Sequence, residues 1–220
     1  QLILNLNIDG EIILKRNYFN MKKKKHHIPS YPWPFKLNDV YHYAYWEDFL
    51  SKKECEQIIS IGRKRGLKEG QSSYNNDKYN KYRDCLISWL SPDDNLQWLY
   101  RRVTDVVNDL NKKYFKFDLY GIIEGLQFTN YKAPSGKFDA HIDQMHGYPT
   151  RKLSVTIQLS DPKDYEGGEF NLITGEDPEI FDKTQGKLFV FPSYHLHRVK
   201  PVTKGERNAL IIWVTGPNFK

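Results

Sequence analysis

The chain has 220 residues, 39% hydrophobic, 27% charged and 15% aromatic, a balance that excludes a disordered polymer and fits one domain with a sizeable core. Its formal charge of +6 favours acidic partners, but Lys22 to Lys25 concentrate much of it in one run, so it argues poorly for nucleic-acid binding. Cys55 and Cys85 lack a C-x-x-C motif, which speaks against a disulfide framework or a thiolate metal site.

No apolar run approaches the ~18 residues needed to span a bilayer, and the opening residues do not match a secretory signal. A soluble, cytoplasmic protein with no membrane partner is expected. Residues 2 to 14, LILNLNIDGEIIL, alternate apolar and polar side chains around Asp9-Gly10, which tolerates the positive φ of a tight turn and predicts a hairpin. The next stretch, MKKKKHHIPSYPWP, combines like charge with three prolines and reads as an arm, its His26 and His27 solvated rather than metal-bound. The expected organisation is a hairpin and basic arm over 1–30 and the principal domain over 31–220.

Ser51 and Glu54 form a capping-box pattern, with Leu50 as staple and Gly66 as stop, so a first helix follows Ser51. Residues 70–82, GQSSYNNDKYNKY, have no apolar periodicity and read as a mobile surface loop; closure over a substrate and a plain loop are equally open. Ser91-Pro92 is expected to open a second helix, because Leu96, Leu99, Val103, Val106, Val107 and Leu110 follow at helical spacing. From Gly121 the pattern changes to short β-rich runs, GIIEGLQFTNY, KLSVTIQLS, GGEFNLI, GKLFVFP and ALIIWVT, separated by Gly, Pro and Asp turns. The expected fold is mainly β with supporting helices around a double-stranded β-helix (jelly-roll) core. Gly167-Gly168 reads as a tight turn, since no helix or P-loop lysine follows it.

The chemistry-bearing residues are His141 and Asp143 in FDAHID, His197 in FPSYHLHRVKPV, and Arg207, ten positions beyond that histidine. Side chains alternate along a strand, so His141 and Asp143 would share a face while His197 approaches from another strand. Two imidazoles and one carboxylate with open positions opposite make the facial triad of non-haem Fe(II) oxygenases. Arg207 adds a permanently charged fork that matches a cosubstrate carboxylate. A lone His-x-Asp is common by chance; the full constellation is not. His195 shares a strand face with His197, but ten positions beyond His195 lies Gly205, so His197 is the candidate ligand and His195 a supporting or surface residue. His146 reads as rim rather than ligand.

The segments YHLHRVKPVTKGERNALIIWV, RKLSVTIQLSDPKDYEGGEFNL and FDAHID resemble the Fe(II)/2-oxoglutarate dioxygenases of the prolyl 4-hydroxylase type and their bacterial and phage relatives, from about Arg83 to Pro217. The resemblance implies that His141, Asp143 and His197 hold iron and that Arg207, often lysine in relatives, pairs with the distal carboxylate of 2-oxoglutarate. Tyr131 matches a tyrosine that bonds the same carboxylate. Trp213 matches an aromatic pocket position, with core packing equally open; Gln158 lies on a strand expected to face the cosubstrate, and Arg83 falls near the mouth. The implied cofactors are Fe(II), 2-oxoglutarate and O2, with ascorbate as a further one.

The implied reaction is oxidative decarboxylation of 2-oxoglutarate coupled to hydroxylation of a C–H bond. A peptidyl proline is the first substrate, on a protein or peptide partner, because that branch matches the motifs best. The alternatives are another protein side chain or a free amino acid; nucleic-acid demethylation ranks lower, because that branch spaces its arginine differently. A reading of another class is a non-catalytic β-barrel binding module, which would have no physical need for all four polar residues. As core polar groups without a metal, the three ligands would need several compensating partners.

Overall fold

The computed structural model describes residues 2–6, 12–16, 41–71, 82–93, 95–144 and 149–219, in two units, Gln1–Asp39 and Val40–Lys220. In the first, β1 (Leu2–Leu6) pairs antiparallel with β2 (Ile12–Arg16), as the alternation around Asp9-Gly10 predicts. The basic arm with His26 and His27, most of the loop expected over 70–82, and His146 lie outside the described residues.

The second unit opens with β3 (Ala44–Trp46) and α1 (Lys52–Lys64). Both halves of the capping box form: the Glu54 carboxylate accepts from the Ser51 N–H at 2.8 Å, and the Ser51 hydroxyl accepts from the Glu54 N–H at 3.4 Å. Gly66, at φ +84, takes the left-handed turn that ends the helix. After β4 (Lys68–Glu69), β5 (Arg83–Asp84) and β6 (Leu86–Leu90) comes α2 (Gln97–Leu110). It starts at Gln97 rather than at Pro92, because the turn is organised by Asp93: its carbonyl accepts from the N–H groups of Leu96 and Gln97, and its carboxylate from that of Asn95.

The remaining strands are β7 (Leu126–Lys132), β8 (Lys137–His141), β9 (Thr150–Gln158), β10 (Tyr165–Gly167), β11 (Phe170–Ile173), β12 (Glu179–Ile180), β13 (Leu188–Pro192), β14 (Leu196–Val199) and β15 (Val202–Gly216). One antiparallel sheet runs β3-β13-β9-β15-β7-β6-β4, with β10 also on β15; the other runs β12-β11-β14-β8-β5. Together they form the expected double-stranded β-helix.

Period-two alternation sorts the large sheet into two chemistries. Leu153, Val155 and Ile157 of β9 and Leu210, Ile212 and Val214 of β15 join one apolar cluster with Ile58 of α1 and Leu99 and Val103 of α2. Phe189 and Phe191 of β13 turn the other way and meet Phe170, Leu172 and Val199 of the small sheet. Ser154, Thr156 and Gln158 alternate with the aliphatic residues of β9 and so line this inner face, all buried. The helices thus cover the outside of the large sheet, and the inside of the roll is left to polar and aromatic groups. No described helix is long and apolar enough to cross a membrane.

Candidate active site

β8 stops at His141, so Asp143 is not on the strand its spacing implies. It lies in the segment beyond, where the N–H groups of Asp143 and Gln144 both donate to the Ser193 carbonyl at 3.0 Å. His197 sits on β14 directly opposite His141 of β8, so strand pairing brings the two imidazoles together. One ligand atom from each of His141, Asp143 and His197 lies within 4.8 Å of the others. His141 Nε2 is 3.7 Å from Asp143 Oδ1, and His197 Nε2 is 3.5 Å from Asp143 Oδ2.

The backbone decides which ring nitrogen is offered. His141 Nδ1 lies 2.8 Å from the Asp139 carbonyl and His197 Nδ1 3.0 Å from the His195 carbonyl. A carbonyl only accepts, so both Nδ1 atoms donate and the Nε2 atoms are the ones turned toward the carboxylate. Two imidazole nitrogens and a carboxylate oxygen gathered at one point are a donor set that a divalent cation would complete. Burial, with His197 adding to it, pushes the His141 imidazolium down to about 4, which leaves the neutral, ligating form at neutral pH. Burial pushes the Asp143 carboxyl up, but His197, His141 and the Ser154 hydroxyl outweigh it and hold the group below its ordinary value. Phe138 stacks on the His141 ring with centroids 3.5 Å apart, and Phe191 meets the His197 ring edge-on at 4.9 Å, fixing both planes.

Arg207 of β15 stands opposite Tyr131 of β7 and is 1% exposed. Its Nη2 donates to Gln158 Oε1 at 2.9 Å, and its guanidinium carbon lies 5.4 Å from the centre of the Tyr131 ring. Its Nη1 is buried without a hydrogen-bond partner, and among the described residues no carboxylate pairs with it. A desolvated guanidinium in that state is costly unless an anion joins it, so the residues fit a small dicarboxylate. Thr156 Oγ1, on the same inner face, is also buried and unpartnered. The donor set, two imidazoles and a carboxylate, suits Fe(II) equally well.

The other expected residues divide. Gln158 reaches this end of the roll, but its amide oxygen is engaged by Arg207. Trp213 is buried beside Asp143 and lies under the Arg151 guanidinium at 3.8 Å. Arg83 donates to Gln127 Oε1 at 2.8 Å and covers the Phe138 ring at 4.6 Å, the ring that stacks on His141. His195 supplies its carbonyl to His197 and turns its ring toward His42, 5.3 Å away.

Sequence reasoning missed Ser154, Ser193, Phe138 and the Arg151–Glu124 pair, bonded at 2.7 Å through Nε. Ser154 had a signal: in KLSVTIQLS every second residue is aliphatic, which leaves Ser154, Thr156 and Gln158 on one face. Ser193 had none, because its place depends on where β13 ends.

Residues 126–215, from β7 to β15, match the family described as the 2OG-Fe(II) oxygenase superfamily, and the four central residues fall inside that stretch. Over that stretch, less than half of its length, the chain is similar to a 2OG-Fe(II) oxygenase domain. The relatives it matches include PKHD-type hydroxylases. A PKHD-type hydroxylase of Synechococcus sp. (strain JA-2-3B'a(2-13)) is 38% identical over 76 residues, which span 34% of this chain and 34% of that relative, about a third of its length. A PKHD-type hydroxylase of Prochlorococcus marinus (strain NATL2A) is 28% identical over 170 residues, 75% of this chain and 74% of the relative. The fold is shared with a Trichoplax adhaerens prolyl hydroxylase solved in complex with a hypoxia inducible factor oxygen degradation domain peptide fragment, at TM-score 0.66 and 20% identity, covering 80% of this chain and 84% of that one.

Proposed function

We propose that this chain is an Fe(II)- and 2-oxoglutarate-dependent dioxygenase that hydroxylates a C–H bond of a peptidyl proline. The observation that carries the reading is the pairing of two sites on one inner face: a three-ligand cluster of two imidazoles and a carboxylate, and a buried guanidinium with an unused N–H. His141, Asp143 and His197 would hold the iron, and Arg207, with Tyr131 beside it, would receive the distal carboxylate of the cosubstrate. Bound there, iron and 2-oxoglutarate supply, with dioxygen, the oxidising equivalents for hydroxylation, releasing succinate and carbon dioxide.

The protein's own residues orient and exclude. Gln158 holds one arm of the Arg207 fork and leaves the other free, which fixes the direction in which a carboxylate docks. Phe170, Phe189 and Phe191 keep the inner face dry, so charge interactions there are weakly screened. At the rim Ile142, between two ligands in sequence, is 50% exposed, and Trp89, 43% exposed, lies 6.0 Å from Trp213. These apolar groups suit a peptide carrying a pyrrolidine ring, in keeping with the peptide held by the Trichoplax adhaerens relative.

The test is succinate formation by the full chain with Fe(II), 2-oxoglutarate and a panel of proline-rich and control peptides, followed by mass spectrometry. A gain of one oxygen on proline, abolished in His141→Ala, is the expected result. Turnover of a free amino acid with no peptide product would replace the substrate assignment, and absence of Fe(II) binding by folded protein would point to a binding module. Ascorbate dependence is read in the same assay by omitting it.

A further inference from the structure

Asp143 is held by more than the strand that precedes it. Its Oδ2 accepts from the Ser154 hydroxyl at 2.7 Å, and Ser154 Oγ lies 3.0 Å from Ser193 Oγ. An ionised carboxylate only accepts, so the Ser154 proton is committed to Asp143 and the Ser193 hydroxyl must donate to Ser154. Ser193 is in turn fixed by its backbone: its N–H donates to the Lys152 carbonyl at 3.0 Å, and its carbonyl receives the N–H groups of Asp143 and Gln144 at 3.0 Å. Both serines are buried, at 1% and 0% exposure, so water does not compete for these bonds. One residue thus grips the Asp143 backbone directly and its carboxylate through a neighbour.

We propose that Ser193 and Ser154 form a hydroxyl relay that tethers Asp143 through Oδ2 and fixes the rotation of its carboxylate toward the two imidazoles. The inference rests on the iron-site reading above and extends it to positioning residues. Its consequence is a fixed ligand orientation. A carboxylate free to rotate can swing into a position that the cosubstrate or dioxygen needs, whereas one tethered at Oδ2 keeps a single presentation toward His141 and His197. Fixing a ligand by a hydrogen-bonded partner also removes the cost of ordering it when the metal arrives.

The experiment uses the metal-stripped full chain, titrated anaerobically first with Fe(II) alone and then with 2-oxoglutarate, in wild type, Ser154→Ala, Ser154→Thr and Ser193→Ala. Ser154→Ala is expected to weaken Fe(II) binding by about 10- to 100-fold and to shift the weak visible band of the iron–cosubstrate complex. Ser154→Thr, which keeps the hydroxyl, restores both; Ser193→Ala keeps every backbone bond and gives a smaller loss in the same direction. Fe(II) affinity and band unchanged in folded Ser154→Ala would overturn the relay while leaving the iron site intact. If Ser154→Ala does not fold, Ser193→Ala decides, and wild-type affinity and spectrum there overturn the relay. Wild-type protein that binds no Fe(II) overturns the iron-site reading itself, and the relay with it.

Discussion

Arg207 carries the sharpest consequence of any single residue, because the same feature acts with opposite signs on binding and on stability. Its guanidinium is almost wholly buried, half-satisfied by Gln158 and unpaired by any described carboxylate. Arg207→Met is expected to cost about 2–5 kcal/mol of 2-oxoglutarate binding, on the order of a hundredfold or more in affinity, with Fe(II) binding alone unchanged. The same variant without cosubstrate should melt at the wild-type temperature or above it, since an uncompensated buried charge has been removed. Calorimetric titration and thermal unfolding on one preparation measure both, and a variant that loses stability while keeping affinity contradicts this assignment. Arg207→Lys should fall between, because it keeps the charge and loses the fork. Arg207 was legible in the sequence from its distance to His197; its unsatisfied Nη1 was not, since that depends on what the neighbouring strands place around it.

Among the elements, α1 shows how a local rule and a packing constraint compete. Replacing a helical glycine by alanine ordinarily gains up to about 1 kcal/mol of helix propensity. At Gly62 the added Cβ would lie 2.4 Å from Cγ of Phe128, in the ring that β7 sends into the helix-side core. Overpacking of this kind costs about 1–3 kcal/mol, so Gly62→Ala should lower the urea midpoint, and a raised midpoint would show that the contact yields easily. At the other end, Ser51→Ala removes the hydroxyl half of the capping box and should cost about 1 kcal/mol in the same measurement. The helix start at Ser51 was readable because a capping box is local chemistry. The late start of α2 and the early end of β8 were not. Asp93 outcompetes Pro92 for the turn, and Asp143 leaves the strand for a carbonyl of Ser193, a residue distant in sequence.

At the scale of the molecule, Lys187 joins parts of the chain that are remote in sequence. Its ammonium is bonded to Glu47 at 2.7 Å and to Asp182 at 2.6 Å and lies 4.2 Å from the centre of the Tyr45 ring, tying β3 to the approach to β13. Burial raises the Asp182 carboxyl, but the Lys187 and Thr184 hydrogen bonds outweigh it and leave the group below its ordinary 3.8. Burial lowers the Lys187 ammonium, but the bonds from Asp182 and Glu47 outweigh it and leave it above 10.5. A lowered carboxyl gives stability that is full above its unfolded value and lost as pH falls through the folded one; a raised ammonium loses its share as pH rises past its folded value. Stability should therefore drop on the acid side below about pH 4, and Asp182→Asn should flatten that limb in a series of urea midpoints against pH. The effect should shrink with added salt, since half of the Asp182 side chain is exposed. An acid limb identical in the variant would assign the dependence to other carboxylates.

The chain by itself determined the alternation of its strands, the first helix cap, the His141–Asp143 pair and the interval of ten from His197 to Arg207, all of them patterns within a short stretch of sequence. Only the tertiary structure decided that β14 lies against β8 in the register that joins His197 to His141, and that Ser193 reaches Asp143. Strand order and register are settled by burial summed over two sheets, and no local pattern of residues encodes that sum.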